Sequence, residues 1–179
     1  MKKVFSVAAL IFVLLLTGCQ EKANGSLDTT NLVKTNPEAE ELDNVPLLYE
    51  APSLKEGLEA LPFKINLPED LPFDAMPLKL TSIEDFKHDG KELRVDFNSI
   101  SKNEEDKILL IISVHNFKVE YAEPAGEDIE LTDGVTGNYK GNSLIFERDG
   151  IYYSIAYNND NISAAEHKKQ MIGMAKEML

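Results

Sequence analysis

The stretch Ser143-Leu144-Ile145-Phe146-Glu147-Arg148-Asp149-Gly150-Ile151-Tyr152-Tyr153-Ser154-Ile155-Ala156-Tyr157 reads as two strands around a two-residue turn. Asp149-Gly150 supplies the turn, because both residues tolerate the positive φ values that such a tight hairpin requires. In the second strand Ile151, Tyr153, Ile155 and Tyr157 share one face, and Tyr152 falls on the other. Asn158 to Asn161 interrupts the pattern. Ser163-Ala164-Ala165-Glu166 then forms a capping box, and Ala164, Met171, Ala175 and Met178 make an apolar stripe running to the end of the chain. A helix with one greasy stripe after a hairpin with one greasy face points to a helix laid across a sheet.

Upstream, the period of two recurs. Leu78, Leu80 and Ile83 begin a strand that runs towards Phe86, and His88-Asp89-Gly90-Lys91 turns it back. Leu93, Val95 and Phe97 alternate with Glu92, Arg94 and Asp96, the mark of a half-buried antiparallel strand. Ser101 to Asp106 is a polar turn. Ile108 to Val114 is apolar on both faces except at Ser113, and so reads as the central strand. Ile129 and Leu131 start another, and Gly134, Gly137 and Gly141 mark bends around Tyr139. The expected fold is α+β, a mostly antiparallel sheet of six or seven strands with the carboxy-terminal helix packed on one face.

Before the sheet, Ser53-Leu54-Lys55-Glu56 is a second capping box, opening a short helix with Leu54, Leu58 and Leu61 on one face. Pro62 ends it. Phe63-Lys64-Ile65-Asn66-Leu67 alternates up to Pro68, and prolines recur at Leu71-Pro72 and Met76-Pro77. A segment so punctuated cannot donate regular ladder hydrogen bonds, and runs along a sheet edge or face. Residues 19–52 carry Gly25, Ser26, Asp28, Thr29, Thr30, Asn31 and the acidic stretch Glu38 to Asp43, a composition that predicts a flexible acidic tether. The single folded domain is then 53–179.

The chain has 179 residues, with 18 Lys+Arg against 31 Asp+Glu and a formal charge of −13. That balance excludes nucleic-acid binding by phosphate neutralisation. The length excludes a full α/β barrel. Its single Cys excludes a disulfide framework.

That cysteine is Cys19. Met1-Lys2-Lys3 is a basic start, and in Val4 to Leu16 only Ser6 is polar. Thirteen residues make about 20 Å of helix. A membrane span needs about 20 apolar residues, so the run has the length of a signal-peptide core. Leu16-Thr17-Gly18-Cys19 follows, and it resembles the lipobox of bacterial lipoproteins, with Leu16 at −3, Thr17 at −2, Gly18 at −1 and Cys19 at +1. The resemblance implies diacylglycerol transfer to the Cys19 thiol and cleavage after Gly18, so that 1–18 is a lipoprotein signal peptide. Two or three acyl chains hold a protein durably at a bilayer where one does not. Cleavage removes Lys2 and Lys3 but no acid, leaving 16 Lys+Arg against 31 Asp+Glu, a formal charge of −15. A body so negative, on a 33-residue spacer, is expected to stand off an anionic membrane.

Ser53 to Pro72, with Phe63, Leu67-Pro68 and Leu71-Pro72, and the run from Ser143 through Phe146 and Gly150-Ile151-Tyr152-Tyr153 to Leu179 carry a second resemblance. They are similar to the opening and closing segments of an uncharacterised extracytoplasmic domain of Gram-positive membrane-anchored proteins and lipoproteins. Phe146 stands where that domain has Trp. The family offers no catalytic residues, so none are carried over.

The residues themselves offer little chemistry. His88, His115 and His167 are scattered, with no zinc spacing and no thiolate partner; they read as a turn residue, a strand end and an exposed helix residue. A calcium loop begun at Asp85 puts Lys87 in a ligand position, and the lysine repels the ion. Glu123, Glu127, Asp128, Glu130 and Asp133 read as a solvated charge run. There is no Gly-x-Ser-x-Gly, and Gly134 to Gly141 lacks Walker spacing. No catalytic residue, metal or cofactor is expected. Tyr152, Tyr153 and Tyr157 are a candidate binding surface, with core packing as the competing reading. Met171, Met174 and Met178 pack beneath the helix or line a groove there. The expected function is a non-catalytic binding or regulatory module on the outer face of the cytoplasmic membrane, contacting an envelope protein or small ligand. Two alternatives stay open: an envelope hydrolase using acidic residues, and a carrier of an apolar ligand.

Overall fold

Asp149 and Gly150 have φ of 54° and 77° in the computed structural model, which describes residues 25–119 and 126–179. Both central residues of the turn are left-handed, as a type I′ hairpin requires, and Arg148 sits directly opposite Ile151. In chain order the elements are β1 (Val33–Lys34), β2 (Leu47–Glu50), α1 (Leu54–Ala60), β3 (Lys79–Asp85), β4 (Leu93–Ile100), β5 (Leu109–His115), β6 (Glu127–Thr132), β7 (Val135–Lys140), β8 (Ser143–Arg148), β9 (Ile151–Asn158) and α2 (Ala164–Glu177). Short 3-10 turns occupy Pro37–Glu41 and Glu104–Asp106. The lipobox Leu16-Thr17-Gly18-Cys19 and the acid Glu123 lie outside the described residues. No helix among the described residues is long and apolar enough to cross a membrane.

The strands form one antiparallel sheet in the order β1-β2-β3-β4-β5-β9-β8-β7-β6. The run read as central is the middle strand, β5. The sheet is two meanders, β1 to β5 and β6 to β9, joined where β5 pairs with β9 over seven residue pairs from Leu109↔Asn158 to His115↔Tyr152. One face buries Ile83, Leu93, Val95, Phe97, Leu110, Ile112, Val114, Leu144 and Ile155. It is covered by α1, by the proline-rich segment with Phe63, Ile65, Leu67, Leu71 and Phe73, and by α2. Each helix starts where the capping boxes place it. The Ser53 Oγ accepts from the Glu56 N–H at 3.2 Å, as the Ser163 Oγ does from Glu166.

The fold class is as expected, but the described residues form nine strands rather than six or seven. The two extra strands come from the stretch read as tether. Leu27, Ala39, Leu47 and Tyr49 are all buried, and β2 pairs with β3 in the register Leu47↔Asp85, Tyr49↔Ile83. Average composition concealed an apolar alternation only a few residues long. Asn36 then stitches the edge, with its Oδ1 accepting from the Leu48 N–H at 2.7 Å and its Nδ2 donating to the Pro46 carbonyl at 2.9 Å. Further back, the Leu27 N–H donates to the Gly90 carbonyl at 2.8 Å and the Asp28 N–H to that of Ala60 at 2.9 Å. Gly90 has φ of 73°, and a Cβ there would come within 2.8 Å of the Leu27 nitrogen, so the contact needs glycine. The folded body includes Leu27 and Asp28, so the tether cannot extend to residue 52.

A chain beginning at residue 53 should therefore melt at a clearly lower temperature than one beginning at residue 25. Leu47→Ala alone should cost about 2–5 kcal/mol in urea unfolding, as for other buried leucines. Equal melting of the two truncations would show β1 and β2 to be dispensable.

Candidate functional site

Alternation along β4 puts Leu93, Val95, Phe97 and Ser99 into the core and turns Arg94, Asp96 and Asn98 to the opposite face of the sheet. Register then fixes their neighbours. Across five strands runs the row Glu84, Arg94, His115, Tyr152, Glu147; beside it lies Ser82, Asp96, Ser113, Ser154, Ile145. The next row includes Ile111, which is 37% exposed although it sits on the central strand. This face is open to solvent at Ile111, while Ser113 and His115 further along the same strand are buried.

Arg94 organises the charges. Its Nε donates to the Asp96 Oδ1 at 3.0 Å, and its Nη1 lies 4.0 Å from the Glu84 Oε2. One cation between two carboxylates leaves the trio with a formal charge of −1. Loss of hydration pushes the Glu84 carboxyl up, with Arg94 opposing the shift and Asp96 adding to it. His115, at the end of β5, is buried, and its ring meets Phe117 edge-on at 5.4 Å, which in turn meets Phe86 at 5.2 Å. Burial, and then the nearby Arg94 charge, push the imidazole below its ordinary value of 6.5. Among the described residues its Nδ1 is buried without a hydrogen-bond partner, which costs roughly 1–3 kcal/mol. Together, the guanidinium and the two carboxylates can recognise a polar group by hydrogen bonding, with the buried His115 ring beside them.

The three tyrosines do not form one surface. Tyr153 is buried and stacks on Phe146, with centroids 4.9 Å apart. Tyr157 is 0% exposed and holds α2 onto β9. Its hydroxyl accepts from the Asn159 Nδ2 at 2.7 Å and donates to the Gln170 Oε1 at 3.0 Å. Its ring stacks on His167 and Phe73, at 4.9 and 5.8 Å. Burial raises the Tyr157 phenol, against the hydrogen bond from Asn159. Only Tyr152 lies on the open face. The cause is the strand period, which sends residues 153 and 157 inward with Ile155.

His167 is a further correction. It was expected to be exposed, yet it is buried, with Nε2 2.8 Å from the Tyr157 carbonyl. It occupies the helix stripe one turn before Met171, while Ala164 is exposed. Met171, Met174 and Met178 are each 2% exposed or less, so a closed core, not a groove, lies beneath α2. Asp85, weighed as the start of a calcium loop, uses its carboxylate on the Gly90 and Lys87 N–H groups, at 2.8 and 3.3 Å. Sequence reading missed Glu84, Arg94 and Asp96 as a set. Alternation places each on the polar side of its strand, but only register brings them together. Compared with known protein families, curated proteins and solved structures, the chain matches none.

Because the folded His115 lies below 6.5, the unfolded chain takes up that proton first as the pH drops. Stability should therefore fall from about pH 6.5 downward until the folded imidazole itself protonates. Glu84, raised from 4.5, acts in the opposite sense, costing stability as the pH rises from 4.5 through its folded value. His115→Gln should flatten the loss between pH 7 and 5.5 in urea titrations; an unchanged slope would show that His115 is not its source.

Proposed function

We propose that the chain is a bacterial lipoprotein, held at the outer face of the cytoplasmic membrane by acyl chains on Cys19. Its domain is a non-catalytic binding or regulatory module that presents the open face of the sheet to an envelope protein or a small polar ligand. One observation carries the address: the only cysteine stands where the apolar leader ends, behind Leu16-Thr17-Gly18. The binding half is supported by Arg94, which stands on this face between the carboxylates of Glu84 and Asp96. Neither alternative gains a comparable feature. A hydrolase built on paired acids calls for a water-excluding pocket, whereas Glu84 and Asp96 sit on an open sheet face and are tied to Arg94. A carrier with its cavity under the carboxy-terminal helix is disfavoured by the closed packing of Met171, Met174 and Met178.

In the native host, the intact mass of the purified protein should correspond to a chain starting at Cys19 with acyl chains added. Cys19→Ser should keep residues 1–18 and lose the added mass. If the wild type and Cys19→Ser share one amino terminus, the lipoprotein reading falls. For the open face, a photoreactive residue replacing Ile111 should give a discrete crosslinked species in membranes. Arg94→Glu should reduce that species at least fivefold at unchanged melting temperature. Crosslinking indifferent to Arg94 would place binding elsewhere.

A further inference from the structure

On the covered side of the sheet, a groove of about 1240 Å³ opens between α1 and the proline-rich segment that follows it. Leu54 and Leu58 of α1, Phe63 and Ile65 of the segment after it, and Gly25 are among the residues that line it. Four charged residues edge it, Lys55 and Lys64 against Asp28 and Glu59, which cancel formally in a chain of charge −13. The groove therefore lies on a patch of surface that an anionic or zwitterionic headgroup layer does not repel on net charge. Lys64 is exposed and makes no ion pair among the described residues, and Lys55 is 3.8 Å from Glu59 on the helix surface, a weak pair.

Tether length supplies the second observation. Leu27 already belongs to the fold, and from an acylated Cys19 to Gly25 in the groove lining the chain advances by six residues. However they are arranged, six residues reach no further than about 20 Å. A groove lined by leucine, phenylalanine and isoleucine is thus held within about 20 Å of the bilayer by its own anchor, at high effective concentration.

We propose that this groove takes an acyl chain of an outer-leaflet phospholipid, with the headgroup phosphate meeting Lys55 and Lys64. The inference rests on the lipoprotein reading and deepens it: the domain lies against the membrane by its α1 side and leaves the Arg94 face of the sheet pointing away. Burying apolar surface contributes about 25 cal/mol per Å², so even a partly seated chain orients a domain that its tether already keeps close.

The test uses the full-length protein reconstituted from its native host into vesicles of phosphatidylethanolamine and phosphatidylglycerol, with a benzophenone amino acid replacing Asn66, an exposed residue of the same lining. Intact mass first establishes acylation of Cys19. On irradiation, the expected product is the protein plus one phospholipid mass. Leu54→Glu, which puts a charge in the wall at a helix position that tolerates an acid, should lower that adduct at least fivefold at unchanged melting temperature; if this variant melts early, Lys55→Glu serves in its place. An internal crosslink to residues 19–24, a crosslink to a second copy, or no adduct on acylated protein overturns the groove assignment while leaving the anchor in place. A mass without acyl chains overturns both.

Discussion

The pairing of β5 with β9 is the constraint on which the rest of this structure depends. Ile112 of β5 is opposite Phe97 on one side and Ile155 on the other, and all three are wholly buried. Without that seam the molecule would be two meanders, each with an open edge and half a core. It is also a non-local contact, closed only after β6, β7 and β8 have been laid down, and such pairing is slow compared with hairpin formation. The seam positions the last helix as well. β9 delivers Tyr157 beneath α2, where its hydroxyl, carbonyl and ring each engage that helix or the turn leading into it.

Most of this framework was legible because it is local. Asp149-Gly150 sets its own hairpin, Ser53 and Ser163 set their helices, and the double-sided apolar run Ile108 to Val114 marks the middle of the sheet. What escaped the sequence is what depends on distant partners. Leu47 and Tyr49 are two apolar residues in an acidic stretch, and nothing nearby indicates that Ile83 waits beside them. His167 looked exposed because a polar residue was not counted in an apolar stripe, although one ring can both stack on Tyr157 and bond its carbonyl. The candidate site was hidden for the same reason. Glu84, Arg94, Asp96 and His115 come from three strands, and each alone is an ordinary polar position of an alternating strand.

The two faces of the sheet divide the labour. The covered face carries stability and, along α1, a groove whose lining includes Gly25. The other face carries Arg94 and its two half-buried carboxylates, with His115, whose imidazole burial pushes below its ordinary value, beside them.

The margins of the sheet hold a last consequence. Its outermost strands are β1, only two residues long, and β6, whose Glu127, Asp128 and Glu130 are all exposed. A short margin and an acidic one are both poor templates for strand addition by a neighbour. Molecules confined to a plane by their tails meet one another far more often than molecules free in solution. On the proposed Cys19 anchor, that negative rim would act as a spacer between adjacent copies, keeping a crowded lawn of sheets from zipping into a fibre.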